Sequence, residues 1–293
     1  MALRSCMITG ASTGIGEACA LRLDAAGWRV FAGVRREADA ARLRSQLSAR
    51  SRPVMVDVTD TASIARAVVD VASVLRDDGL AGLINNAGIA VAGPLEFLPV
   101  EEFRRQLDVN VTGQLAVTQA CLPLLRRSRG RVVFMGSIAG RVTLPMLGPY
   151  SASKHAVEAL ADALRVELQP WGMHVSIIEP GSIATPIWRK GDEAAAQASS
   201  RFPAAAEQLY GAASGAMRKA AADAARRGVP PDTVAIVVEH ALTSAAPRTR
   251  YLVGADAKLR ARIGAFVPDR LRDRLFTRVL GLPARDSVEG ALR

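Results

Sequence analysis

Two side chains with acid–base chemistry stand four residues apart near the middle of the chain. Tyr150 and Lys154 are separated by three small residues, and this spacing places a phenol and an ammonium on one face of a helix. A free tyrosine has a pKa near ~10, and a neighbouring ammonium makes its ionisation easier. The pair could therefore pass a proton to or from a substrate oxygen. The alternative is an ordinary exposed Tyr–Lys pair.

Two further polar residues favour a functional site over a surface pair. Ser137 follows the apolar run Arg131–Met135, which has the composition of a buried strand, and ligands bind at the carboxyl ends of such strands. Asn110 lies three residues after Leu107 on a long, partly apolar helix. We therefore expect Asn110 to face inward and to find polar partners there.

A glycine-rich turn near the N-terminus predicts a phosphate site. Three glycines lie in Thr9–Gly16, between the first apolar run and the first predicted helix. Gly10 permits a tight turn, Gly14 lets the backbone approach a pyrophosphate, and Gly16 lets the helix pack near the strand. The helix N-terminus then offers free N–H groups to phosphate. The spacing G-x-x-x-G-x-G differs from G-x-G-x-x-G, so a plain glycine turn is the alternative.

The end of the second strand favours NADP(H) over NAD(H) as the cofactor. Proteins that bind NAD usually carry an acid there, which grips the ribose hydroxyls. Here the strand ends at Val34, which cannot accept a hydrogen bond, and Arg35 follows. Arg35 can pair with a 2′-phosphate, as can the hydroxyl of Ser12. NAD(H) is the alternative if Arg35 is only a solvated arginine.

Strand-like and helix-like segments alternate along the chain and would position these residues. The apolar runs are short and mostly not alternating, which is typical of parallel strands buried on both faces. The predicted strands are Arg4–Thr9, Arg29–Val34, Pro53–Asp57, Leu80–Asn85, Arg131–Met135, His174–Glu179 and Arg250–Val253, and the predicted helices include Gly14–Ala26, Thr61–Arg76, Val100–Arg127 and Ser151–Gln169. We therefore predict an α/β fold with a Rossmann-type, doubly wound sheet of about seven parallel strands and helices on both faces.

Two regions fall outside this alternation. Residues 186–229 are rich in alanine, and we expect one or two mobile helices there that form a substrate lid. Residues 256–293 are basic. We predict a single NAD(P)-binding catalytic domain over residues 1–255, with the lid inserted in it, and a helical extension over residues 256–293.

The basic extension contains one amphipathic segment. Pro268 should precede a helix that begins near Asp269. Its apolar stripe consists of Leu271, Leu275, Val279 and Leu282. Such a helix could lie on an anionic membrane surface or pack on the protein. We favour packing on the protein, because an isolated helix of about three turns is marginal in water.

The composition excludes several classes of protein. The chain has 293 residues, of which 49% are hydrophobic and 23% charged, so it is neither disordered nor collagen-like. The net charge of +10 suggests attraction to anions, but aromatic residues make up only 4% and we expect no nucleic-acid partner. The three cysteines and three histidines show no metal or redox spacing, so we predict no metal and a cytoplasmic location, with peripheral membrane contact as the alternative.

Taken together, the motifs resemble those of the short-chain dehydrogenase/reductase family. The turn Thr9–Gly16 is similar to the family's T-G-x-x-x-G-I-G segment, and Asn86–Gly88 is similar to its N-A-G motif. Pro180–Thr185 resembles the P-G loop that holds the nicotinamide, and Arg250–Gly254 resembles the branch of hydroxysteroid, retinol and 3-hydroxybutyrate dehydrogenases. The resemblance covers about residues 2–255.

The resemblance implies a role for each matching residue. Tyr150 would be the acid/base, Lys154 would assist its ionisation and hold the nicotinamide ribose, and Ser137 would donate a hydrogen bond to the substrate oxygen. Asn110 would position a water that links Lys154 to solvent. The implied cofactor contacts are Gly10, Ser12, Thr13, Gly14, Ile15, Gly16, Arg35, Asp57, Val58, Asn86, Ala87, Gly88, Tyr150, Lys154, Pro180, Gly181, Ile183 and Thr185.

These observations predict an NADP(H)-dependent oxidoreductase that acts on a lipophilic secondary alcohol or ketone. The expected substrate pocket is apolar and uncharged, formed by Val91–Gly93, Ile138, Met146–Pro149, the Ser182–Trp188 loop and the lid. The substrate would be steroid-, retinoid- or hydroxyacyl-like. The alternative is a catalytically silent NADP(H)-binding sensor or scaffold on the same fold. We also expect a homodimer or homotetramer, because related proteins pair the helices that correspond to Val100–Arg127 and Ser151–Gln169.

Overall fold

The computed structural model describes residues 3–200 and 202–282. Within them, seven parallel strands form one sheet in the order β3-β2-β1-β4-β5-β6-β7. The strands are β1 (Ser5–Ile8), β2 (Arg29–Val34), β3 (Arg52–Met55), β4 (Gly82–Asn85), β5 (Arg131–Met135), β6 (His174–Pro180) and β7 (Arg250–Val253). The predicted Rossmann-type sheet is thus confirmed. Its strand order reverses between β1 and β4, where such sheets open a ligand crevice.

Helices cover both faces of the sheet. They are α1 (Gly14–Ala25), α2 (Glu37–Gln46), α3 (Thr61–Leu75), α4 (Val100–Leu107), α5 (Gly113–Ser128), α6 (Gly148–Glu167), α7 (Ile187–Ser199), α8 (Ala204–Arg227), α9 (Pro231–Thr243), α10 (Ala255–Phe266) and α11 (Asp269–Leu280). Helices α1 and α9 pack on one face, while α3, α5 and α6 pack on the other.

The two faces of the sheet have separate apolar cores. In β1, Cys6 and Ile8 belong to the core under α1 and α9, whereas Met7 between them belongs to the core under α3 and α5. Every residue of β1 is buried. A strand that is buried on both faces needs apolar residues at every position, which explains why the predicted strands do not alternate.

The predicted helix over Val100–Arg127 differs from the structure in one respect. A single π-helical turn, Asp108–Thr112, joins α4 to α5, and the N–H of Gly113 bonds the carbonyl of Asp108. The turn lies where Gly113 packs so tightly that a Cβ there would come 2.7 Å from the Val58 carbonyl oxygen. Asn110 lies inside this turn and is fully buried, as expected.

The lid region forms two helices, α7 and α8, and the C-terminal helix α11 contacts α8. Helix α11 begins at Asp269 as predicted, but the face that packs is not the predicted stripe. Leu271 is 57% exposed and Val279 72% exposed, whereas Phe276 and Leu280 are half-buried. The half-buried residues Phe276 and Leu280 lie one position further along the helix than the exposed stripe residues Leu275 and Val279, while Leu282 of the stripe is half-buried. Which face of α11 is covered depends on its contact with α8. The end of the extension, residues 283–293, lies outside the described residues.

None of the helices in the described ranges is long and apolar enough to cross a membrane.

Candidate active site

The glycine turn adopts the geometry that its sequence predicts. Gly10 and Gly14 have φ angles of +65° and +63°, in the left-handed region that side chains disfavour. A Cβ on Gly10 would lie 2.8 Å from the Cα of Ala87. Gly16 packs against the Gly10 carbonyl and lies behind the turn, outside the cleft lining, so its role is to bring α1 close to β1.

Hydrogen bonds between the ends of β1 and β4 hold this turn. The Asn86 amide donates to the carbonyls of Thr9 and Gly10, at 3.0 Å each. The Thr9 hydroxyl accepts from the backbone N–H groups of Asn86 and Ala87, also at 3.0 Å each. The N-A-G segment therefore fixes the backbone of the turn, which explains why its first residue is an amide.

The N-terminus of α1 has the features of a phosphate site. Its cap residue Thr13 does not cap the helix with its side chain; its hydroxyl lies 3.5 Å from Lys190 Nζ instead. Gly14 and Ile15, at the start of the helix, line a cleft of about 710 Å³. Free N–H groups, a positive helix end and two glycines suit the pyrophosphate of a dinucleotide, so the residues present fit the predicted cofactor.

The far end of the cleft carries the residues expected to select the cofactor. Arg35 is exposed just beyond β2 and lines the cleft together with Asp57. Burial raises the pKa of Asp57, but hydrogen bonds from Thr59 and the charge of Arg35 outweigh it, so the pKa lies below the ordinary value. A carboxylate and a guanidinium thus stand together where the adenosine end of a dinucleotide would lie.

Most of the predicted cofactor contacts meet in this one cleft. The predicted site residues that line it are Gly10, Ser12, Thr13, Gly14, Ile15, Arg35, Asp57, Val58, Asn86, Ala87, Gly88, Ser137, Tyr150, Lys154, Pro180, Gly181, Ile183 and Thr185. Among the predicted site residues, Gly16 and Asn110 do not line it.

Tyr150 and Lys154 stand on the first turns of α6, against the end of β5. Pro149 opens the helix, where a proline costs no hydrogen bond. The Lys154 ammonium is buried and donates to the Met135 carbonyl at 2.7 Å, and it lies 5.6 Å from the centre of the Tyr150 ring. Burial lowers the pKa of Lys154 to about 8, with Glu158 acting in the opposite direction.

The Ser137 hydroxyl lies next to the Tyr150 hydroxyl. Burial raises the pKa of Tyr150, and the hydrogen bond with Ser137 partly offsets this. Ser137 is itself held in place because its oxygen accepts the N–H of Ala139 at 3.1 Å and caps the short turn Ile138–Gly140. Two hydroxyl groups and an ammonium therefore line the same cleft beside one another.

Asn110 reaches this group of residues through Ser153 rather than directly. Its amide nitrogen donates to Ser153 Oγ at 3.1 Å and to the Ile89 carbonyl at 3.1 Å, and its oxygen accepts the Ile89 N–H at 2.9 Å. Ser153 in turn donates to the Tyr150 carbonyl at 2.7 Å. Asn110 thus ties the π-helical turn to the helix that carries Tyr150.

The part of the cleft beyond Tyr150 is lined mainly by apolar side chains, as predicted. They include Ile138, Leu144, Met146, Leu147, Ile187, Trp188, Phe202 and Met217. Val91, Gly148, Pro149 and Ala184 lie outside the lining; Val91 is buried, and its N–H bonds the Gln106 side chain. The expectation of an uncharged lining was wrong at the mouth, where the amphipathic lid and α10 contribute Lys190, Glu207, Arg218 and Arg260.

Sequence reasoning missed two cations beside the glycine turn. Arg42 of α2 donates to the Ser12 carbonyl at 2.5 Å and pairs with Glu17 of α1, so it braces the turn from outside. Lys190 of α7 reaches Thr13 over the mouth of the cleft. Neither residue belongs to a local pattern, and each lies far along the chain from its partner, so only the fold brings them there.

Comparisons with known proteins agree with this geometry. Residues 4–196 match the family model described as short chain dehydrogenase. The chain is 38% identical over 280 residues to the NADPH-dependent 3-dehydrocapnine reductase of Ornithobacterium rhinotracheale, covering 94% of this chain and 96% of the relative. It is 40% identical to the 17-beta-hydroxysteroid dehydrogenase type 6 of Bos taurus over 286 residues, and 40% identical to human retinol dehydrogenase 16 over 283 residues; each match covers 95% of this chain and 89% of the relative.

A solved structure shows the same fold. A short chain dehydrogenase from Burkholderia cenocepacia in complex with NADP superposes with a TM-score of 0.71 at 27% identity, covering 96% of this chain and 98% of that one. The predicted resemblance is therefore confirmed, including its hydroxysteroid- and retinol-like branch. The chain belongs to the short-chain dehydrogenase family of oxidoreductases.

Proposed function

We propose that this protein is an NADP(H)-dependent oxidoreductase that interconverts a lipophilic secondary alcohol and its ketone. One observation carries the proposal: a single cleft joins the glycine turn to the hydroxyls of Tyr150 and Ser137 and continues over apolar side chains. A dinucleotide and an apolar substrate could therefore meet beside a proton donor.

The choice of NADP(H) rests on the exposed Arg35 beyond β2 and on the relatives. Val34 offers no acceptor to the ribose hydroxyls, while Arg35 can pair with a 2′-phosphate. The Ornithobacterium relative is named NADPH-dependent, and the Burkholderia structure holds NADP. These agree with the cofactor that the sequence predicts.

In the reduction direction, the dinucleotide held by the glycine turn would supply the hydride that the carbonyl carbon needs to become a carbinol. Tyr150 donates the proton that the substrate oxygen needs, and Ser137 donates a hydrogen bond to the same oxygen. The Lys154 ammonium stabilises the tyrosinate that remains. In the oxidation direction the tyrosinate accepts that proton back, so the same residues serve both directions.

Asn110 acts as a positioning residue in this proposal. All three polar contacts of its side chain go to Ile89 and Ser153, and Ser153 holds the backbone of Tyr150. The π-helical turn thereby fixes where α6 presents its tyrosine. The water that the resemblance assigns to Asn110 remains a prediction.

The apolar lining and the names of the relatives favour a steroid-, retinoid- or hydroxyacyl-like substrate. Trp188 and Phe202 contribute aromatic surface, and Leu144 and Met217 contribute aliphatic surface. Burying such a substrate in this lining stabilises the complex by about 25 cal/mol for each Å² of apolar area. The charged mouth leaves room for one polar group at the end of the substrate that faces solvent.

We also propose the larger organisation that the sequence predicts. Residues 1–255 form the catalytic domain with its lid, and residues 256–293 extend it. A homodimer or homotetramer would form through α5 and α6, whose outer faces expose Leu115 and Val166; light scattering that finds only monomer at micromolar concentration would contradict this. The cytoplasmic location stays a prediction.

The experiment is a panel of apolar and polar ketones and alcohols, each measured with NADPH or NADH and with the oxidised forms. We expect turnover of apolar ketones with NADPH to exceed that with NADH, and polar carbonyls such as sugars to react poorly. Tight NADPH binding without turnover of any carbonyl would favour a silent sensor or scaffold and contradict the proposal.

A further inference from the structure

Two largely buried carboxyls lie close to one another beyond Lys154. Glu158 stands one turn further along α6, and Glu179, at the end of β6, is fully buried. A single nitrogen, Arg250 Nε, lies 3.1 Å from Glu158 Oε2 and 3.9 Å from Glu179 Oε1. The two carboxyl groups therefore flank one guanidinium and lie side by side.

Each carboxyl uses only one oxygen for these ion pairs. The other two oxygens, Glu158 Oε1 and Glu179 Oε2, are buried and have no donor among the described residues. Leaving a buried polar atom unpaired costs about 1–3 kcal/mol, and more for a charged group. Two ionised carboxylates are acceptors only, so they can satisfy each other only if one of them carries a proton.

The surrounding charges decide which carboxyl holds the proton. Glu179 Oε1 accepts from Arg141 Nε at 2.5 Å, and Asp162 accepts from Arg250 Nη2 at 2.6 Å, so each of these two carboxyls has a close guanidinium donor. Glu158 accepts from Arg250 Nε, and this guanidinium also donates to Asp162. Burial and then the neighbouring Glu179 raise the pKa of Glu158 to about 7.

We propose that Glu158 and Glu179 share one proton and that Glu158, once it has lost that proton, controls how long Lys154 keeps its own charge as the pH rises. The proposal rests on the role that the proposed function gives to Lys154. In this proposal Glu158 is a positioning residue: it acts through Lys154, one helical turn away, by stabilising the charge of that ammonium. The groups that face the pair are Lys154 and Asp162 of α6, Arg141 after β5 and Arg250 of β7.

The direction of the effect follows from the order of the titrations. Below a pH of about 7 Glu158 is neutral, and Lys154 is protonated in any case because its pKa is about 8. As the pH rises through about 7, Glu158 ionises and its negative charge stabilises the ammonium. Lys154 therefore keeps its proton to a higher pH than burial alone would allow, and ketone reduction stays active over a wider range.

Two isosteric variants separate this role from a structural one. In Glu158→Gln the amide can still donate to Glu179, but the negative charge beside Lys154 is gone at every pH. In Glu179→Gln the amide donates to Glu158, which then stays ionised without a shared proton. Both variants keep a donor between the two side chains, so both should fold.

The measurement is the pH dependence of kcat/KM for ketone reduction with NADPH. In the wild type, kcat/KM should decline on the alkaline side of the profile, which we call the alkaline limb. In Glu158→Gln this decline should begin about one pH unit lower. At pH values above it, kcat/KM should therefore be about tenfold lower than in the wild type. Glu179→Gln should leave the limb where the wild type has it. Equal shifts in the two variants, or a shift in neither, would overturn the proposal.

An infrared titration of the protein without substrate gives a readout that does not depend on turnover. The wild type should show a protonated carboxyl band that disappears as the pH rises through about 7, and both variants should lack it. Absence of the band in the folded wild type at pH 6 would also overturn the shared proton. If the band titrates but no carbonyl is turned over, the proposed function fails while the shared proton stands.

Discussion

The two ends of the cleft are built in different ways. At the cofactor end, the turn after β1 is fixed by four hydrogen bonds of 3.0 Å, which the Asn86 side chain and the backbone N–H groups of Asn86 and Ala87 donate to Thr9 and Gly10, and Gly10 and Gly16 pack against neighbouring backbone. At the substrate end, every residue of α7 is at least partly exposed, and α8 buries only Ala206 and Met217 of its 24 residues. Backbone contacts define the first end, and small, loosely packed side chains define the second.

This difference matches what each end of the cleft binds in the proposed function. A cofactor that is always the same can be held by backbone groups whose positions do not vary. A lipophilic substrate is instead held by side chains, and loosely packed helices can adapt to it because few buried contacts must be broken when they move. We therefore expect substitutions at the cofactor end to affect every substrate alike, and substitutions in the lid to affect substrates differently.

The largest effect should come from Tyr150→Phe, at the junction of the two ends. Loss of the proton donor should lower kcat by roughly 10²- to 10⁴-fold for all substrates, while the affinity for NADPH changes little. Tyr210→Phe is the matched control, since that hydroxyl lies on helix α8 of the lid and donates to Glu96, in the segment between β4 and α4. Substantial turnover by Tyr150→Phe would remove the proposed proton transfer.

The same substitution at two glycines compares the two ends directly. Gly10→Ala forces a side chain into the left-handed region and against Ala87, and should destabilise the fold by about 2–4 kcal/mol. Gly215→Ala in α8 meets nothing within 4 Å, so it should stabilise the helix by ~0.5–1 kcal/mol. Denaturant titration of both variants checks this, and equal effects would contradict the contrast.

Arg35→Ala should weaken NADPH binding while leaving NADH binding nearly unchanged. The lost charge-assisted contact is worth about 1.5–3 kcal/mol, or roughly 10- to 150-fold in affinity. Arg44→Ala is the control, because that arginine pairs with Glu37 on the outside of α2. Unchanged NADPH preference in Arg35→Ala would contradict the assignment of the 2′-phosphate site.

Lys190→Ala should have the smallest effect of the series. The ammonium reaches Thr13 from the lid and is exposed, so we expect the KM for NADPH to rise roughly threefold at low salt and the difference to shrink at high salt. Arg189→Ala is the neighbouring control, since Arg189 pairs with Glu193 in its own helix. Equal effects of both variants would mean that the lid does not reach the cofactor through Lys190.

The sequence predicted the cofactor end better than the substrate end, for a physical reason. Each feature of the cofactor end is encoded by residues that are close together in the chain: the strands, the glycine turn, and the pair Tyr150 and Lys154. Because the strands are parallel, the segments that follow them meet at the same edge of the sheet. The π-helical turn at Asn110 was not predicted, because it is defined by packing of Gly113 on Val58.

The remaining differences between prediction and structure also depend on contacts between distant parts of the chain. Helix α2, which is not among the helices named from the sequence, buries only Ala40 and Leu43, so its apolar stripe is short. The Lys190–Thr13 contact joins residues 177 positions apart. For α11 the predicted helical spacing of the apolar residues was correct. Which face of α11 packs depends on its contact with α8, and the local sequence of α11 does not encode the position of α8.

The central claim is that the cleft beyond Tyr150 holds a lipophilic ketone for reduction by NADPH, and a homologous series of methyl ketones tests it most directly. With saturating NADPH, each added methylene that is buried should contribute about 0.8 kcal/mol, or roughly fourfold in kcat/KM, until the chain reaches the charged mouth. The KM for NADPH should stay constant along the series. A kcat/KM that is flat or falls as the chain lengthens, while NADPH is still consumed, would contradict the lipophilic substrate and leave the oxidoreductase activity standing.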